Sequence, residues 1–325
     1  MSGIAGIFSL KKRKKDRQKI NILLDEISHR GDRREVLNIS GGYVGINTNY
    51  DFETKIDKNI ILMDGRIYNL DHLLIKYGIQ VDNLLISDSK KICLLFNKAG
   101  KSIFKYFKGS FALAIVDKKG NVYLARDFIG RKPLYYYKND KTLMFASEVK
   151  SLIKFTNGIK EFPPGSCMLN LSKPEVIKIV DVDNYSIIKG QDSGILEDKL
   201  ENFLLKSMDM RINDNNLNLG VWLSGGIDSS LVAALLREFT AKIYTYSVGY
   251  EGSPDLEAAK EVSDYLGTRH TEYKLDTEEL FLNIPKAIYH LESFDAPLVR
   301  STLGNMIASK ISASSDIVFS GEGGD

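Results

Sequence analysis

The chain has 325 residues, of which 43% are hydrophobic and 26% are charged, and its formal net charge is +2. This composition is typical of a globular protein, and the length predicts two domains, since single cores rarely grow beyond about 250–300 residues. So small a net charge argues against nucleic acid or an anionic membrane as a partner. No apolar run approaches the roughly 18 residues that span a bilayer, and no signal peptide opens the chain.

The chain begins with MSGIAGIF, which predicts a short buried strand. Removal of Met1 would leave Ser2 at the N-terminus, with a hydroxyl beside a free α-amine that can act as a base. The alternative is that an edge strand merely begins here. The two cysteines, Cys93 and Cys167, lie far apart without metal-ligand spacing, so we expect no disulfide framework, no zinc site and a reducing, cytoplasmic setting.

Residues 1–180 have the pattern of an α+β sandwich rather than alternating β-α-β units. Short apolar runs separated by Gly, Asn, Asp or Pro predict strands. Those runs lie at 42–46, 60–63, 111–116, 121–125, 134–137 and 143–146. Helical spacing appears at 68–77 and 88–99, and a basic cluster at 11–15 precedes an amphipathic stretch at 18–30. The polar residues 181–193 predict a linker.

From residue 194 onward, strands alternate with helices. The pattern predicts a parallel, doubly wound α/β sheet that binds its ligand at the carboxyl ends of the strands. The expected strands lie at 220–223, 242–248, 270–274 and 316–320. The expected helices lie at 194–212, 228–238, 255–266, 277–292 and 302–312.

The stretch VWLSGGIDSSLVAALL joins a buried strand to a helix through two glycines. Backbone N–H groups at such a helix start form an anion cradle, and the hydroxyls of Ser224, Ser229 and Ser230 add donors. Asp228 would repel phosphate unless a cation lay between them, which implies Mg²⁺. No lysine follows the glycines, so this is not a Walker A loop. The alternative is that these side chains only cap the helix.

A second glycine turn, DIVFSGEGGD, also follows a strand. In a doubly wound sheet two such loops face one crevice at the switch point of the strand order. Glu322 and Asp325 would then share a metal ion with Asp228. The two loops together predict a nucleotide phosphate site.

The motifs resemble those of the glutamine-dependent asparagine synthetase family over essentially the whole chain. SGGIDSS resembles the pyrophosphate loop of N-type ATP pyrophosphatases. SVGYEGSPDLEAAKEVSDYLGTRHTE, AIYHLESFDAPLVRST and FSGEGGD resemble successive motifs of the synthetase domain. MSGIAGIF, SHRG, DGRIYN, ARDFIGRKPLYYY, FASEVKSL and FPPGS resemble the family's class II amidotransferase domain, which has an Ntn-type fold.

The resemblance implies ATP and Mg²⁺ as cofactors, and aspartate with ammonia or glutamine as substrates. The aspartate β-carboxylate would attack the α-phosphorus of ATP, and ammonia would then displace AMP. The implied adenosine contacts are Leu223, Val248, Ser320 and Gly321. The implied phosphate and metal contacts are Ser224, Gly225, Gly226, Asp228, Ser229, Ser230, Glu322 and Asp325. Candidates to orient the amino acid are Glu292, Asp295 and Arg300, with solvated charges at helix ends as the alternative.

The amidotransferase half departs from the family pattern. Ser2 stands where the family has its cysteine nucleophile, and Asp64 replaces the oxyanion-hole asparagine. An ionised carboxylate there would repel a developing oxyanion. The arginine segment that grips the glutamine carboxylate has no clear match, whereas Gly65 and Asp88 match vestigial glutamine contacts. We therefore expect a disarmed glutaminase that serves as a scaffold.

The sequence stops directly after the second glycine loop, at Asp325. The family's long helical C-terminal region has no counterpart in it, which predicts a fragment, a homodimer, or a second chain that completes the fold. One alternative function keeps the adenylating site but uses an intramolecular amine, as in β-lactam synthetase or peptide cyclases. Another is a non-catalytic remnant.

Overall fold

The computed structural model describes residues 2–10, 16–81, 86–176, 192–212 and 217–323. The chain divides into two compact units, Met1–Ile187 and Ile188–Asp325. The expected linker 181–193 lies largely outside the described residues, but its last residue, Ser193, begins a helix. Asp192 is the N-cap of that helix, and its carboxylate accepts a hydrogen bond from the Gly194 backbone N–H at 3.4 Å.

The first unit contains two six-stranded sheets in which every recorded pairing is antiparallel. The first sheet has the order β10-β8-β9-β1-β3-β2. Its strands are β1 (Ser2–Ser9), β2 (Arg33–Ile39), β3 (Gly42–Thr48), β8 (Tyr135–Lys138), β9 (Thr142–Ala146) and β10 (Lys160–Glu161). The second sheet has the order β12-β11-β7-β6-β5-β4. Its strands are β4 (Lys55–Ile56), β5 (Asn59–Ile67), β6 (Gly109–Val116), β7 (Val122–Arg126), β11 (Ser166–Leu169) and β12 (Glu175–Val176).

One buried apolar cluster joins the two sheets, which makes them the middle layers of a sandwich. Ile4 and Ile46 of the first sheet pack there with Leu62 and Leu124 of the second. Helices cover the other faces: α1 (Asp16–Glu26) and α4 (Val149–Ile153) on the first sheet, α2 (Leu70–Lys76) and α3 (Asp88–Ala99) on the second. The predicted α+β sandwich is confirmed.

Strand β1 lies in the interior of its sheet, so the alternative that an edge strand begins at Ser2 is wrong. It pairs with β3 on one side and β9 on the other, and all eight of its residues are buried. The alternating Ile4 and Ile7 side chains enter different apolar clusters on the two faces of the sheet. The small residues between them suit a strand enclosed on both faces.

The second unit is the predicted doubly wound sheet, with four parallel strands in the order β15-β14-β13-β16. The strands are β13 (Leu219–Trp222), β14 (Ile243–Gly249), β15 (Arg269–Lys274) and β16 (Ile317–Phe319). The helices are α5 (Ser193–Asp209), α6 (Ile227–Leu236), α7 (Pro254–Leu266), α8 (Thr277–Leu291) and α9 (Ala296–Ile311). The strand order reverses between β13 and β16, which places a switch point between them.

Helix α9 begins at Ala296 rather than near the predicted residue 302. Asp295 is its N-cap, and the Asp295 carboxylate accepts a hydrogen bond from the Leu298 backbone N–H at 3.0 Å. Pro297 lies in the first turn, where its missing N–H costs nothing. Both cysteines are free and buried. Within the described ranges, no helix combines the length and the apolar character needed to cross a membrane.

Candidate nucleotide site and altered amidotransferase centre

The loop between β13 and α6 turns sharply at Gly225, whose φ is +80°. A Cβ atom added there would lie 2.6 Å from both the Ala258 Cβ and the Ala259 backbone nitrogen of α7. Gly226 is the N-cap of α6, and no side chain caps this helix. The alternative that the serines and Asp228 serve only as helix caps therefore lacks support. The first backbone N–H groups of α6 have no partner within the helix.

The three serine hydroxyls of the loop have different surroundings. Ser229 is buried, and its Oγ lies 3.2 Å from the Ser224 nitrogen, 3.0 Å from the Ser224 Oγ and 3.2 Å from the Gly226 carbonyl oxygen. These hydrogen bonds tie the two ends of the loop, at Ser224 and Ser229, to each other. The buried Ser230 Oγ has no hydrogen-bond partner in the part of the chain that the structure describes. Ser230 is not among the residues that line the cavity described below, so its role as a phosphate donor stays a prediction.

The second glycine loop packs directly against the first. A Cβ atom on Gly321 would lie 2.7 Å from the Ser229 nitrogen and 2.8 Å from the Asp228 Cβ. Strands β13 and β16 are neighbours in the sheet, so both loops leave the same edge at the switch point. The structure therefore brings together the two motifs that the sequence predicts to share a crevice.

A cavity of about 360 Å³ opens between these loops and helix α9. Its lining includes the predicted residues Leu223, Ser224, Gly226, Asp228, Ser229, Val248, Ser320, Gly321 and Glu322. It also includes residues that sequence reasoning missed: Trp222, Tyr246, Gly304, Asn305, Ala308 and Gly323. The glycine at position 304, in the middle of a helix, is the one signal that could have drawn attention to α9.

The carboxylates of the site suit a cation held between protein and phosphate rather than a cage built by the protein alone. Asp228 and Glu322 line the cavity and are exposed. Among the described residues, no group of three or more His, Cys, Asp or Glu could hold a metal ion. Asp325 lies outside the described residues. Mg²⁺ usually takes one or two carboxylates together with substrate phosphates, so these residues fit it only when a nucleotide is bound.

The three candidates to orient an amino acid, Glu292, Asp295 and Arg300, are not among the residues that line the cavity. Glu292 ends α8 with a left-handed φ of +56°, and Asp295 caps α9. Arg300 is exposed on α9, and by helical spacing it shares a face with Gly304 and Ala308, which do line the cavity. Glu292 and Asp295 thus have the positions that the helix-end alternative expects, and a substrate role for Glu292, Asp295 and Arg300 stays a prediction.

In the first unit, Asp64 on β5 is fully buried at the centre of a charged network. Its Oδ1 accepts a hydrogen bond from the Ser2 nitrogen at 3.3 Å, and its Oδ2 accepts one from the Arg30 Nη1 at 3.0 Å. The Lys132 Nζ lies 3.6 Å from Oδ1. The Arg30 Nε also donates to the carboxylate of Glu148. The motifs MSGIAGIF, SHRG, DGRIYN and FASEVKSL therefore converge on one ion-pair network.

The hydroxyl and the carbonyl oxygen of Ser2 also contact other protein groups. The Ser2 Oγ lies 2.9 Å from the Thr48 Oγ1, and the Ser2 carbonyl oxygen accepts a hydrogen bond from the Arg30 Nη1 at 3.3 Å. Sequence reasoning missed Arg30, Thr48 and Glu148, because only the fold brings them to Ser2. Burial tends to raise the pKa of Glu148, but Arg30 and Lys150 outweigh burial and hold that pKa below its usual value.

The two residues predicted to be vestigial glutamine contacts, Gly65 and Asp88, lie on β5 and α3. Gly65 follows Asp64 on β5, and Asp88 opens helix α3. Burial raises the pKa of Asp88, while the nearby Arg66 and Lys91 act against that shift. No recorded hydrogen bond within the described residues links Asp88 to Ser2, so a glutamine pocket shared by the two stays a prediction.

Comparison with known proteins identifies both units. Residues 1–166 match the family model of the glutamine amidotransferase domain, and residues 199–325 match that of asparagine synthase. The chain is 32% identical over 285 residues to an asparagine synthetase B (glutamine-hydrolyzing) from Escherichia coli K12, covering 82% of this chain and 51% of that protein. It is 31% identical to a probable asparagine synthetase from Dictyostelium discoideum, covering 100% of this chain and 64% of that one.

The chain spans about half the length of the curated relatives it matches. A solved glutamine phosphoribosylpyrophosphate amidotransferase from B. subtilis aligns over 91% of this chain and 94% of that one, at 13% identity and a TM-score of 0.46. The fold assignment rests on the topology described above and not on that alignment. The two domain matches and the two asparagine synthetases named above are consistent with the paired glycine loops of the second unit. The chain belongs to the asparagine synthetase family.

Proposed function

We propose that this chain carries the ATP-dependent, amide-forming site of an asparagine synthetase. The observation that carries the proposal is the meeting of two glycine loops, after adjacent parallel strands, at one cavity. An oxygen of the aspartate β-carboxylate would attack the α-phosphorus of ATP, and the bond to the β-phosphate would break to release pyrophosphate. Ammonia would then attack the carbonyl carbon, lose a proton and expel AMP.

The residues of this site would work by position and charge rather than by proton transfer. The backbone N–H groups at the start of α6, with the Ser224 and Ser230 hydroxyls, would hold the pyrophosphate oxygens. A bound Mg²⁺ would neutralise phosphate charge, and Asp228 and Glu322 are the described residues that could hold it there. Leu223, Val248, Ser320 and Gly321 would contact the adenosine part.

The amidotransferase domain, in this proposal, supplies no ammonia from glutamine. A buried carboxylate at Asp64 takes the place of an amide donor, and Ser2 lacks the acidity of a thiol. Free ammonia is then the nitrogen source, and the domain serves as a scaffold.

The test is the exchange of labelled pyrophosphate into ATP, measured with each carboxylic acid in turn. Exchange that requires aspartate supports the proposal, and exchange supported only by another carboxylic acid assigns the chain to the cyclase type. Asparagine formation is then followed with ammonium or glutamine as nitrogen source. We expect ammonium to support it and glutamine not to. The Asp228→Asn variant should lose exchange, whereas Asp51→Asn, at an exposed ion pair of the other unit, should keep it.

A further inference from the structure

The glycine loop leaves strand β13 at Leu223, and strand β14 holds both backbone polar groups of that residue. The residue pairs that join the two strands end at Trp222 and Tyr246. One residue further on, the Leu223 nitrogen donates to the Tyr246 carbonyl oxygen at 2.8 Å. The Leu223 carbonyl oxygen accepts a hydrogen bond from the Ser247 Oγ at 2.6 Å, so a side chain of β14 holds the start of the loop.

Both partners of this hydrogen bond are buried, with Leu223 2% and Ser247 4% exposed. In the described part of the chain, the Ser247 hydroxyl is the one donor recorded for the Leu223 carbonyl. A buried carbonyl without a donor is unfavourable, because it has lost water and gained nothing in exchange. Loss of this hydroxyl would therefore favour other orientations of the carbonyl, in which it regains a donor.

The peptide unit between Leu223 and Ser224 is held at both ends. Its carbonyl oxygen accepts from Ser247 of β14, and its N–H group donates to the Ser229 Oγ of α6 at 3.2 Å. Since a peptide unit is planar, these two contacts fix the direction of one rigid group. Ser224 lines the cavity, whereas Ser247 is not among the lining residues. An effect of Ser247 on a ligand must therefore act through the loop.

Thr245 provides a contrast on the same strand. It lies two residues before Ser247, on the same face of β14, and it is fully buried. Its Oγ1 lies 2.7 Å from the Thr268 Oγ1 and 3.0 Å from the His270 Nδ1. This hydroxyl therefore contacts the β15 side of the strand, whereas the Ser247 hydroxyl contacts the start of the glycine loop.

We infer that Ser247 is a positioning residue of the phosphate loop. Its hydroxyl orients the peptide between Leu223 and Ser224, and through that peptide it directs the Ser224 hydroxyl and the backbone of the two glycines toward phosphate. The inference rests on the proposed function, because that proposal places the phosphates of ATP at this loop. A residue of this kind acts on the binding of phosphate groups and not on the binding of a nucleoside.

The experiment measures dissociation constants for ATP with Mg²⁺ and for adenosine, which has no phosphate. The fluorescence of Trp222 follows both titrations, because it is the single tryptophan of the chain and lines the cavity. Loss of one hydrogen bond shifts the orientation of the peptide by about tenfold, and affinity falls with the fraction of loops that can bind. We expect Ser247→Ala to bind ATP about tenfold more weakly and adenosine as native protein does. A general loss of stability would not change the ratio of the two affinities.

Thr245→Val is the matched control, because it removes a buried hydroxyl of the same strand that has two partners. It should lower the melting temperature by about 2–4 °C, at least as much as Ser247→Ala, and yet bind ATP normally. If Ser247→Ala binds ATP as tightly as native protein, or if Thr245→Val weakens binding equally, the inference is wrong. Equal weakening of ATP and adenosine in Ser247→Ala would also overturn it. If native protein does not bind ATP, the proposed function itself fails, and the inference fails with it.

Discussion

The carboxylate of Asp64 holds the backbone nitrogen of Ser2, with Oδ1 3.3 Å from that nitrogen, while its second oxygen pairs with Arg30. A serine at an N-terminus needs its α-amine as a free base to become a nucleophile. The resemblance places an amide donor of the oxyanion hole at this position, and a carboxylate there would repel a developing oxyanion.

We therefore predict negligible glutaminase activity in the native chain, measured as glutamate released from glutamine. Loss of one oxyanion donor typically lowers a rate by about 10²–10³. Ser2→Cys alone should stay inactive, because Asp64 remains. Activity in Ser2→Cys combined with Asp64→Asn would identify a disarmed amidotransferase, and inactivity of that pair would mean that the glutamine pocket is lost. Native turnover that disappears in Ser2→Ala would refute this account.

Asp64 should be essential to the stability of the first unit. Its removal by Asp64→Ala leaves the Arg30 guanidinium buried with one partner fewer, and breaking a buried ion pair costs about 3–5 kcal/mol. Denaturant unfolding, followed by circular dichroism of the backbone, measures this change in the free energy of unfolding. Asp51→Ala is the matched control, because its ion pair with Arg33 is exposed and should contribute nothing measurable. Equal unfolding midpoints for the two variants would contradict the ion-pair network.

Glu148 should make the free energy of unfolding decrease as the pH falls into the acid range. Burial opposes its charge, but Arg30 and Lys150 prevail, so its pKa in the folded protein lies below the ordinary value of 4.5. The stabilisation is complete above that ordinary value and is lost as pH falls through it toward the folded pKa. The free energy of unfolding of Glu148→Gln should consequently fall less steeply between pH 5 and pH 3 than that of native protein. Glu175→Gln, in an exposed pair with Lys101, should keep the native slope.

The nucleotide loop should not tolerate a side chain at Gly225. Gly225→Ala combines a φ of +80° with a Cβ 2.6 Å from α7 atoms, so the loop must shift. Gly252 has a φ of +70° but open space around it. Both alanine variants therefore carry about 1–2 kcal/mol of left-handed strain, and only Gly225→Ala should lose ATP binding as well. Calorimetric titration that shows the same affinity in both variants would argue against a phosphate cradle at this loop.

Local patterns in the sequence were enough to predict most elements of both units. The apolar runs at 111–116 and 121–125 predict two strands, and β6 and β7, which pair with each other, confirm both. Strand β2 was missed, because five of its seven residues are exposed or only partly buried and no apolar run marks it. The start of α9 was also misplaced, although Asp295 and Pro297 carry ordinary N-terminal signals.

Some site residues could also be predicted from local sequence, and others could not. The glycine loops lie within single stretches of sequence, so the phosphate site could be predicted. The Arg30–Asp64 pair joins residues 34 positions apart, on a 3-10 turn and a strand, and no local pattern encodes it. Asn305 reaches the cavity only because α9 packs beside the sheet, whereas Trp222 ends β13 directly before the glycine loop. Completion by a second chain or a homodimer stays a prediction.

The most direct test of the account is a calorimetric titration of ATP, with Mg²⁺ present, into native protein and into Asp228→Ala. In the proposed site, phosphate lies at the start of α6 beside the Asp228 carboxylate, with the cation between them. Native protein should therefore bind ATP at one site, and Asp228→Ala should bind it at least tenfold more weakly. Removal of Mg²⁺ should weaken native binding and hardly change that of the variant. Equal affinity in the two proteins, or no binding by native protein, would contradict the central claim.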